Sequence, residues 1–264
     1  MTTIMWNRNA RMSGFHKQGL ISIAIVVLLI KISKLSAQEI YGKNDIWFFN
    51  LTEYQYQSKW IIGNELHFRY DDGLRDKQQF LIRPYISFLS NSKVFYTTGY
   101  TYINTYEYGN YALPATKKEH NVWEQINVKN KLGKLSMENR YRLEHRLQST
   151  YDLSIAEFNF KKLDFSNRFR YRLTIKRPIV NKYFIQLFNE FWIQSNRNIL
   201  DASFDRNWLY LGIGKKMSEV ISMQIGYLHQ NIKKTANRFE RHPTLQVSLV
   251  IKLNRDNHKE KADD

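Results

Sequence analysis

Apolar and polar residues alternate with a period of two along most of this chain, from about residue 44 to residue 253. In the segment 135–147, for example, Leu135, Met137 and Tyr141 alternate with polar or charged residues. Side chains on a β-strand point alternately to opposite faces, so each such segment has one apolar and one polar face. The sequence therefore predicts an all-β protein.

The alternating segments are long for a soluble sheet. There are eleven of them, most about ten to thirteen residues long, at 44–56, 60–70, 79–89, 94–104, 121–130, 135–147, 165–176, 183–194, 207–215, 220–230 and 244–253. Strands in soluble sheets usually have about five or six residues, whereas a tilted membrane-spanning strand needs about 9–11. Short connectors alternate with long ones, as in barrels with short periplasmic turns and long outer loops. The pattern favours a transmembrane antiparallel up-and-down β-barrel over a soluble β-sandwich or a lipocalin-like barrel.

Parity constrains the number of strands. Single-chain bacterial barrels have an even number of strands with both chain ends in the periplasm, and eleven segments break that rule. Either a twelfth strand is hidden in an irregular stretch, or 44–56 is not an ordinary wall strand. We therefore expect about 10–12 strands and favour twelve.

The N-terminal segment has the layout of an export signal. Three basic residues precede a twelve-residue apolar run, Gly19–Ile30, and a Leu-Ser-Ala sequence ends at Ala37. These are the parts of a secretory signal peptide, and twelve apolar residues are too few to cross a bilayer as a helix. The predicted organisation is a signal peptide at 1–37, an outer-membrane β-barrel at 38–253 and a charged periplasmic tail at 254–264.

The charge of the chain has a different meaning once export is predicted. The chain carries 40 Lys+Arg against 24 Asp+Glu, a net charge of +16, and removal of the five basic residues in 1–37 leaves +11. An exported protein rarely meets nucleic acid, so the basic excess does not predict nucleic-acid binding. The absence of cysteine excludes disulfides, cysteine-ligated zinc and thiol catalysis. No metal-ligand spacing or phosphate-binding loop stands out, so we predict neither a metal site nor a cofactor.

Cations dominate the polar faces of two neighbouring segments, 135–147 and 165–176, and these faces would line the inside of a barrel. The predicted lumen charge network comprises Glu65, Arg69, Arg83, Glu138, Arg140, Arg142, Glu144, Arg146, Arg168, Arg170, Arg172 and Glu190. A ring of such cations selects for anions, because guanidinium groups bind carboxylate and phosphate bidentately. Alternatively, the charges pair with one another and fill a small lumen. A narrow anion-preferring channel and a structural barrel therefore both remain open.

Aromatic residues lie near the ends of several segments, where a barrel wall would meet the membrane surface. Trp and Tyr are enriched at both membrane–water interfaces. The predicted interface aromatics are Trp47, Trp60, Tyr100, Tyr102, Trp192 and Trp208.

Two other functional classes remain as alternatives. An outer-membrane enzyme that hydrolyses lipids or peptides would need a base and a nucleophile. His67 beside Glu65 and His145 are candidate bases, but no serine stands in a recognisable arrangement with them. We therefore predict no catalytic residue and no enzymatic activity. A surface receptor that uses the long outer loops is the other alternative.

Several strand motifs occur in an order and at spacings that resemble a known family. They are the Trp47…Trp60…Arg69 hairpin, Arg83-Pro84, Asn139–Arg146, Phe188-Asn189-Glu190, Phe204–Gly212 and Gly226-Tyr227-Leu228. Over about 43–253 the sequence resembles the DUF2490 family, bacterial outer-membrane barrels of unknown function. The chain departs from the usual end of such barrels, since a charged tail follows the last strand in place of a terminal aromatic residue.

The resemblance implies a fold and a location but no activity. The expected partners are outer-membrane lipid, the barrel-assembly machinery and an anionic solute, with no nucleic acid among them. The oligomeric state is left open.

Overall fold

Twelve β-strands account for nearly all of the described chain and form one continuous sheet. In chain order they are β1 (Gln38–Tyr41), β2 (Asp45–Tyr56), β3 (Trp60–Asp71), β4 (Asp76–Leu89), β5 (Val94–Thr105), β6 (Lys117–Leu132), β7 (Leu135–Tyr151), β8 (Phe160–Pro178), β9 (Tyr183–Ser195), β10 (Ser203–Lys216), β11 (Ile221–Thr235) and β12 (Arg238–Asn254). A 3-10 turn, Ile199–Asp201, lies between β9 and β10.

This is a computed structural model, and it describes residues 38–41, 43–109, 115–151, 160–196, 198–235 and 238–254. The predicted signal peptide and residues 255–264 of the predicted tail lie outside the described residues. No helix within the described ranges has the length and apolar character needed to cross a membrane.

The sheet closes on itself. Each strand from β2 onward pairs antiparallel with the next, and β12 also pairs with β2. This last pairing is parallel and runs from Thr244 opposite Asp45 to Asn254 opposite Gln55. We call the β12–β2 pairing the seam. The prediction of an all-β, mostly antiparallel barrel is confirmed.

The closed wall has eleven strands, β2–β12, within the predicted range but one fewer than the favoured twelve. The short strand β1 is a twelfth member of the sheet and lies beside β12. An odd number of up-and-down strands makes the first and last strands run in the same direction, so the wall closes with a parallel pair. The parity rule fails here because it assumes an antiparallel closure.

The two ends of the barrel have different connections. At one end, called the short-turn end, the strands are joined by 57–59, 90–93, 133–134, 179–182 and 217–220. At the other, called the long-loop end, the described parts of the connections are 72–75, 106–109, 115–116, 196 and 198–202. At this end the strands extend past their predicted bounds, so β7 reaches Tyr151 and β11 reaches Thr235. The long connectors predicted between segments 135–147 and 165–176 and between segments 220–230 and 244–253 are therefore partly strand.

Every wall strand exposes at least one large apolar side chain on its outer face. Examples, in strand order, are Phe48, Ile62, Ile86, Tyr96, Val122, Tyr141, Phe169, Ile193, Leu211, Ile225 and Leu245. The buried side chains of the inner face include most of the arginines of the predicted network, together with Trp47, Trp123, Trp192 and Trp208. Soluble proteins bury their large apolar residues and expose their charges. This barrel has the opposite arrangement.

Glycines allow one aromatic ring to lie against the inner wall. Gly212 and Gly226 are directly opposite each other on β10 and β11, and the Tyr210 ring covers both. A Cβ at Gly226 would come within 2.7 Å of the Gly212 Cα. The Tyr210 hydroxyl accepts a hydrogen bond from Gln224 Nε2 at 2.6 Å. The two glycines are therefore required by a close approach between side chain and backbone.

Candidate functional site

Eight arginines form a belt on the inner wall of the barrel. They lie on β3, β4, β7 and β8 and are Arg69, Arg83, Arg140, Arg142, Arg146, Arg168, Arg170 and Arg172. The register of β7 and β8 puts Arg140 opposite Arg172, and Arg142 opposite Arg170. Like charges directly opposite each other on a sheet are destabilising, so this arginine belt requires carboxylates nearby.

Glu190 on β9 provides the most heavily used carboxylate. It is fully buried and accepts hydrogen bonds from Arg140 Nη2, from Arg170 Nε at 2.8 Å and from Arg172 Nε at 2.9 Å. Three cations thus share one anion. Charge-assisted hydrogen bonds of this kind are about twice as strong as neutral ones, and they fix the orientation of all three guanidinium groups.

Glu144 on β7 is the second fully buried carboxylate. It accepts hydrogen bonds from Arg168 Nε and from Arg170 Nη1, both at 2.6 Å. Because Arg170 donates to Glu190 as well, it links the two carboxylates into one network.

Two further carboxylates complete the network. Glu119 on β6 binds Arg146 bidentately, with N–O distances of 2.8 and 2.7 Å. Glu65 on β3 accepts from Arg83 Nη1 at 2.5 Å and lies 3.3 Å from His67 Nε2. Glu119 is absent from the predicted network because the predicted segment 121–130 begins two residues after it. Its parity with Trp123 is the signal that assigns it to the inner face.

Glu138 faces the lumen but is separate from the arginine belt. It accepts a hydrogen bond from Asn127 Nδ2 at 2.8 Å, and its nearest cation is Lys129, at 3.7 Å. Both Glu138 and Lys129 are partly exposed. The structure therefore places Glu138 inside the barrel without bringing it to the predicted arginine partners.

Two arginines of the belt depend on neutral partners. Arg69 donates to Gln79 Oε1 at 2.6 Å, and its guanidinium lies 3.8 Å from the Trp47 ring centroid. Arg142 donates to Gln125 Oε1 at 2.7 Å, stacks at 4.0 Å on Trp123 and approaches Glu144 no closer than 3.8 Å. These two positive charges are the least neutralised in the belt.

Three of the predicted interface aromatics lie inside the barrel, which corrects their assignment. Trp47, Trp192 and Trp208 are 3–5% exposed and pack together. The centroid of the Trp208 ring is 5.3 Å from that of Trp47 and 4.6 Å from that of Trp192. The Arg170 guanidinium stacks on Trp192 at 3.9 Å. The physical reason is that an indole stabilises a desolvated guanidinium through a cation–π contact. An inner wall rich in arginine therefore also accommodates tryptophan.

The other three predicted interface aromatics are on the outer face. Trp60 is at the short-turn end, with its ring centroid 4.9 Å from that of Phe88. Tyr100 and Tyr102 lie on β5 and flank His120, whose Nδ1 is 2.6 Å from the Tyr100 hydroxyl.

His145 belongs to a small polar group on the outer face. Its Nδ1 is 2.8 Å from Asn167 Oδ1, and its Nε2 is 3.2 Å from Glu124 Oε1. The three side chains satisfy one another, which lowers the cost of a polar group on an apolar surface.

A cavity of about 690 Å³ lies inside the barrel. Among the described residues, its wall carries nine arginines and five lysines against five glutamates. Glu144 and Glu190 are not among the lining residues, but they accept hydrogen bonds from Arg168 and Arg170, which are, so they offset part of the positive charge of the wall. Desolvation raises the pKa of Tyr108, in the 106–116 loop, to about 12, so this wall residue remains neutral at ordinary pH. With Glu144 and Glu190 added to the five lining glutamates, fourteen cationic side chains stand against seven carboxylates, so the cavity is electropositive.

The model of one protein family matches the chain over residues 44–241, and that family is described as "Protein of unknown function (DUF2490)". Comparison with curated proteins gives no match. Among solved structures, the chain is similar to the β domain of the Bordetella autotransporter BrkA. The identity is 11%, the TM-score is 0.42, and the likeness covers 75% of this chain and 82% of the other. Since the family match covers most of the chain, the protein belongs to the DUF2490 family.

Proposed function

We propose that this protein is a bacterial outer-membrane barrel whose lumen admits small anions in preference to cations. The proposal has two parts, a membrane location and a selective interior. Each part rests on a different face of the same wall.

The outer face supports the membrane location. Large apolar side chains are exposed on all eleven wall strands, and all of those strands are longer than the 9–11 residues a membrane requires. Soluble monomers rarely expose large apolar side chains on every strand of a sheet, since they bury such residues. In a bilayer the same surface meets hydrocarbon. The predicted export signal at 1–37 is consistent with that destination.

The inner face supports anion preference, and the observation that carries it is the charge of the cavity wall. Fourteen cationic side chains face five carboxylates among the described lining residues. Charged rings in a pore set its selectivity by attracting the opposite charge. Because Arg69 and Arg142 rely on neutral partners, they are best placed to attract a passing anion.

A planar-bilayer recording tests the proposal. The purified protein is reconstituted between unequal KCl concentrations, and the reversal potential is measured. We expect a small conductance, because eleven strands leave a narrow interior that side chains partly fill. We also expect the reversal potential to have the same sign as the equilibrium potential of chloride.

Variants locate the selectivity in the arginine belt. The double substitution Arg69→Gln and Arg142→Gln removes two charges without depriving a carboxylate of its closest partner, and it should shift the reversal potential toward zero. The control Arg177→Gln removes an exposed charge from β8 and should leave the reversal potential unchanged. Absence of conductance, or a preference for potassium, would contradict the proposed function.

A further inference from the structure

Four buried titratable side chains from three strands meet at the long-loop end of the seam. Asp45 is the first residue of β2, Asp71 is the last residue of β3, and Glu240 and His242 lie near the start of β12. Each has at most 1% of its surface exposed. We call these four residues the seam cluster. They lie outside the arginine belt, and Glu240 alone among them also lines the cavity of about 690 Å³.

Three members of the seam cluster are arranged like metal ligands. One ligand atom each from Asp45, Asp71 and His242 can be chosen so that all lie within 4.8 Å of one another. His242 Nδ1 is 3.4 Å from Asp45 Oδ1, and its Nε2 is 3.0 Å from Glu240 Oε2. Ligands about 2.0–2.2 Å from a tetrahedral ion are about 3.3–3.6 Å apart, so small side-chain shifts would complete such a site.

Unfilled acceptors in the seam cluster point to a ligand. Neither carboxylate oxygen of Asp71 has a hydrogen-bond partner among the described residues, and the same holds for Glu240 Oε1. Asp71 Oδ2 and Glu240 Oε1 both lie beside Gly109: a Cβ built there would be 3.7 Å from the first and 4.0 Å from the second. Buried carboxylate oxygens without partners are costly unless a cation lies close to them.

The nearby lysines do not supply that cation to Asp71. Lys234 Nζ is 2.6 Å from Glu240 Oε2, the oxygen on the other side of that carboxylate. Lys43 Nζ forms ion pairs with Asp72, at 3.1 Å, and with Asp76. In the part of the chain that the structure describes, no ion pair involves Asp71.

Amide side chains hold Asp45 in place. Gln78 Nε2 and Gln230 Nε2 donate to Asp45 Oδ2 at 2.9 and 3.1 Å, and Asp45 Oδ1 is on the His242 side. Partners of this kind orient a ligand carboxylate and raise the affinity of a metal site.

We propose that the seam cluster binds one divalent transition-metal ion through Asp45, Asp71 and His242, with Glu240 beside it. Mixed imidazole and carboxylate donors suit ions of the zinc class, whereas sites for Ca²⁺ and Mg²⁺ use oxygen ligands. The ion links β12 to both β2 and β3, so it fastens the barrel at the point where the two ends of the wall meet.

Zinc titration of the full-chain protein tests the site. After chelator treatment, isothermal titration with Zn²⁺ should show one saturable equivalent that depends on the seam cluster, and Zn²⁺ should raise the unfolding temperature. Asp71→Asn and His242→Gln should each lower the affinity for that Zn²⁺ ion by at least about tenfold. Even the loss of a residue that only hydrogen-bonds to a metal ligand lowers metal affinity about 10–100-fold. Asp72→Asn and His145→Gln are matched controls that leave the seam cluster intact, and they should bind as the original chain does.

Folding and binding can be separated in this test. Asp71→Asn removes an uncompensated buried charge, so the metal-free variant should unfold at the same temperature as the original chain or higher, while losing the rise caused by Zn²⁺. Co²⁺ bound to the unsubstituted protein should give the visible absorption of a tetrahedral site without any variant. Three results would overturn the proposal: no zinc binding, zinc binding indifferent to Asp71→Asn and His242→Gln, or equal affinity for Mg²⁺.

Discussion

At the scale of single residues, the interior is organised by carboxylates that each serve more than one arginine. Glu190 accepts hydrogen bonds from three arginines and Glu144 from two, while Glu119 and Glu65 each bind one arginine closely. A buried ion pair contributes little net stability, but removing one partner leaves an uncompensated charge. The buried glutamates are therefore the most sensitive points of the network.

We predict that Glu190→Gln destabilises the barrel by about 3–5 kcal/mol, because three buried guanidinium groups lose their shared counter-charge. Urea unfolding of the reconstituted protein, followed by tryptophan fluorescence, measures the change. The matched control is Glu138→Gln, whose cation is 3.7 Å away and partly exposed, and it should cost about 1 kcal/mol or less. Equal effects of the two substitutions would contradict the network described above.

The alternation along each strand predicts which charged residues face the interior better than it predicts which aromatic residues do. An arginine within an alternating strand has one reasonable face, the inner one. A tryptophan suits both faces, since it can meet lipid on the outside or stack on guanidinium on the inside. Around Trp208 the run Trp-Leu-Tyr-Leu is apolar on both faces, so no local signal distinguishes them.

At the scale of elements, the strand interiors follow from the alternation and the strand ends do not. The segment predicted at 165–176 becomes β8 (Phe160–Pro178), and the segment at 121–130 becomes β6 (Lys117–Leu132). The added residues include charged ones on both faces, where alternation no longer separates inside from outside. Pairing with the neighbouring strand extends these ends, and that information is not local.

A substitution on β10 tests the contact between ring and backbone. Gly212→Val should destabilise the barrel by about 1–3 kcal/mol, because the new side chain meets the Tyr210 ring and the Ile225 carbonyl. The unfolding midpoint in urea measures this. Gly133→Asn is the control: Gly133 has open space around it and a φ of 57°, which asparagine tolerates, so little change is expected. A neutral Gly212→Val would contradict the close packing of Tyr210.

The seam can be tested by cross-linking, because the sequence contains no cysteine. Val247 and Phe48 are direct partners across β12 and β2. The pair Val247→Cys and Phe48→Cys should therefore form a disulfide on mild oxidation, detected as a shift in the gel mobility of the unfolded protein.

The control for this experiment moves one cysteine along the seam. Val247→Cys with Thr52→Cys places the second thiol four residues away, about 13 Å at 3.3 Å per residue, which is too far for a disulfide. No cross-link in the first pair, or equal cross-linking in both, would contradict the parallel closure. The sequence could not predict this seam, since it joins residues about 200 positions apart.

At the scale of the whole molecule, we propose that the outer face of the wall meets lipid while the inner face is shielded from it. Tryptophan reports this directly. Trp47, Trp123, Trp192 and Trp208 are all 5% exposed or less and lie inside the barrel, whereas Trp60 is 39% exposed on the outer face. The sixth tryptophan of the sequence, Trp6, lies in the predicted signal peptide.

The most direct measurement is fluorescence quenching in vesicles of lipids with brominated acyl chains, with a chain that begins at Gln38. We predict partial quenching that disappears in the Trp60→Phe variant, because the four remaining tryptophans do not contact acyl chains. The Trp123→Phe variant serves as a control and should keep the quenching. If Trp60→Phe is quenched as strongly as the original chain, or if neither is quenched, the barrel does not present this outer face to a membrane.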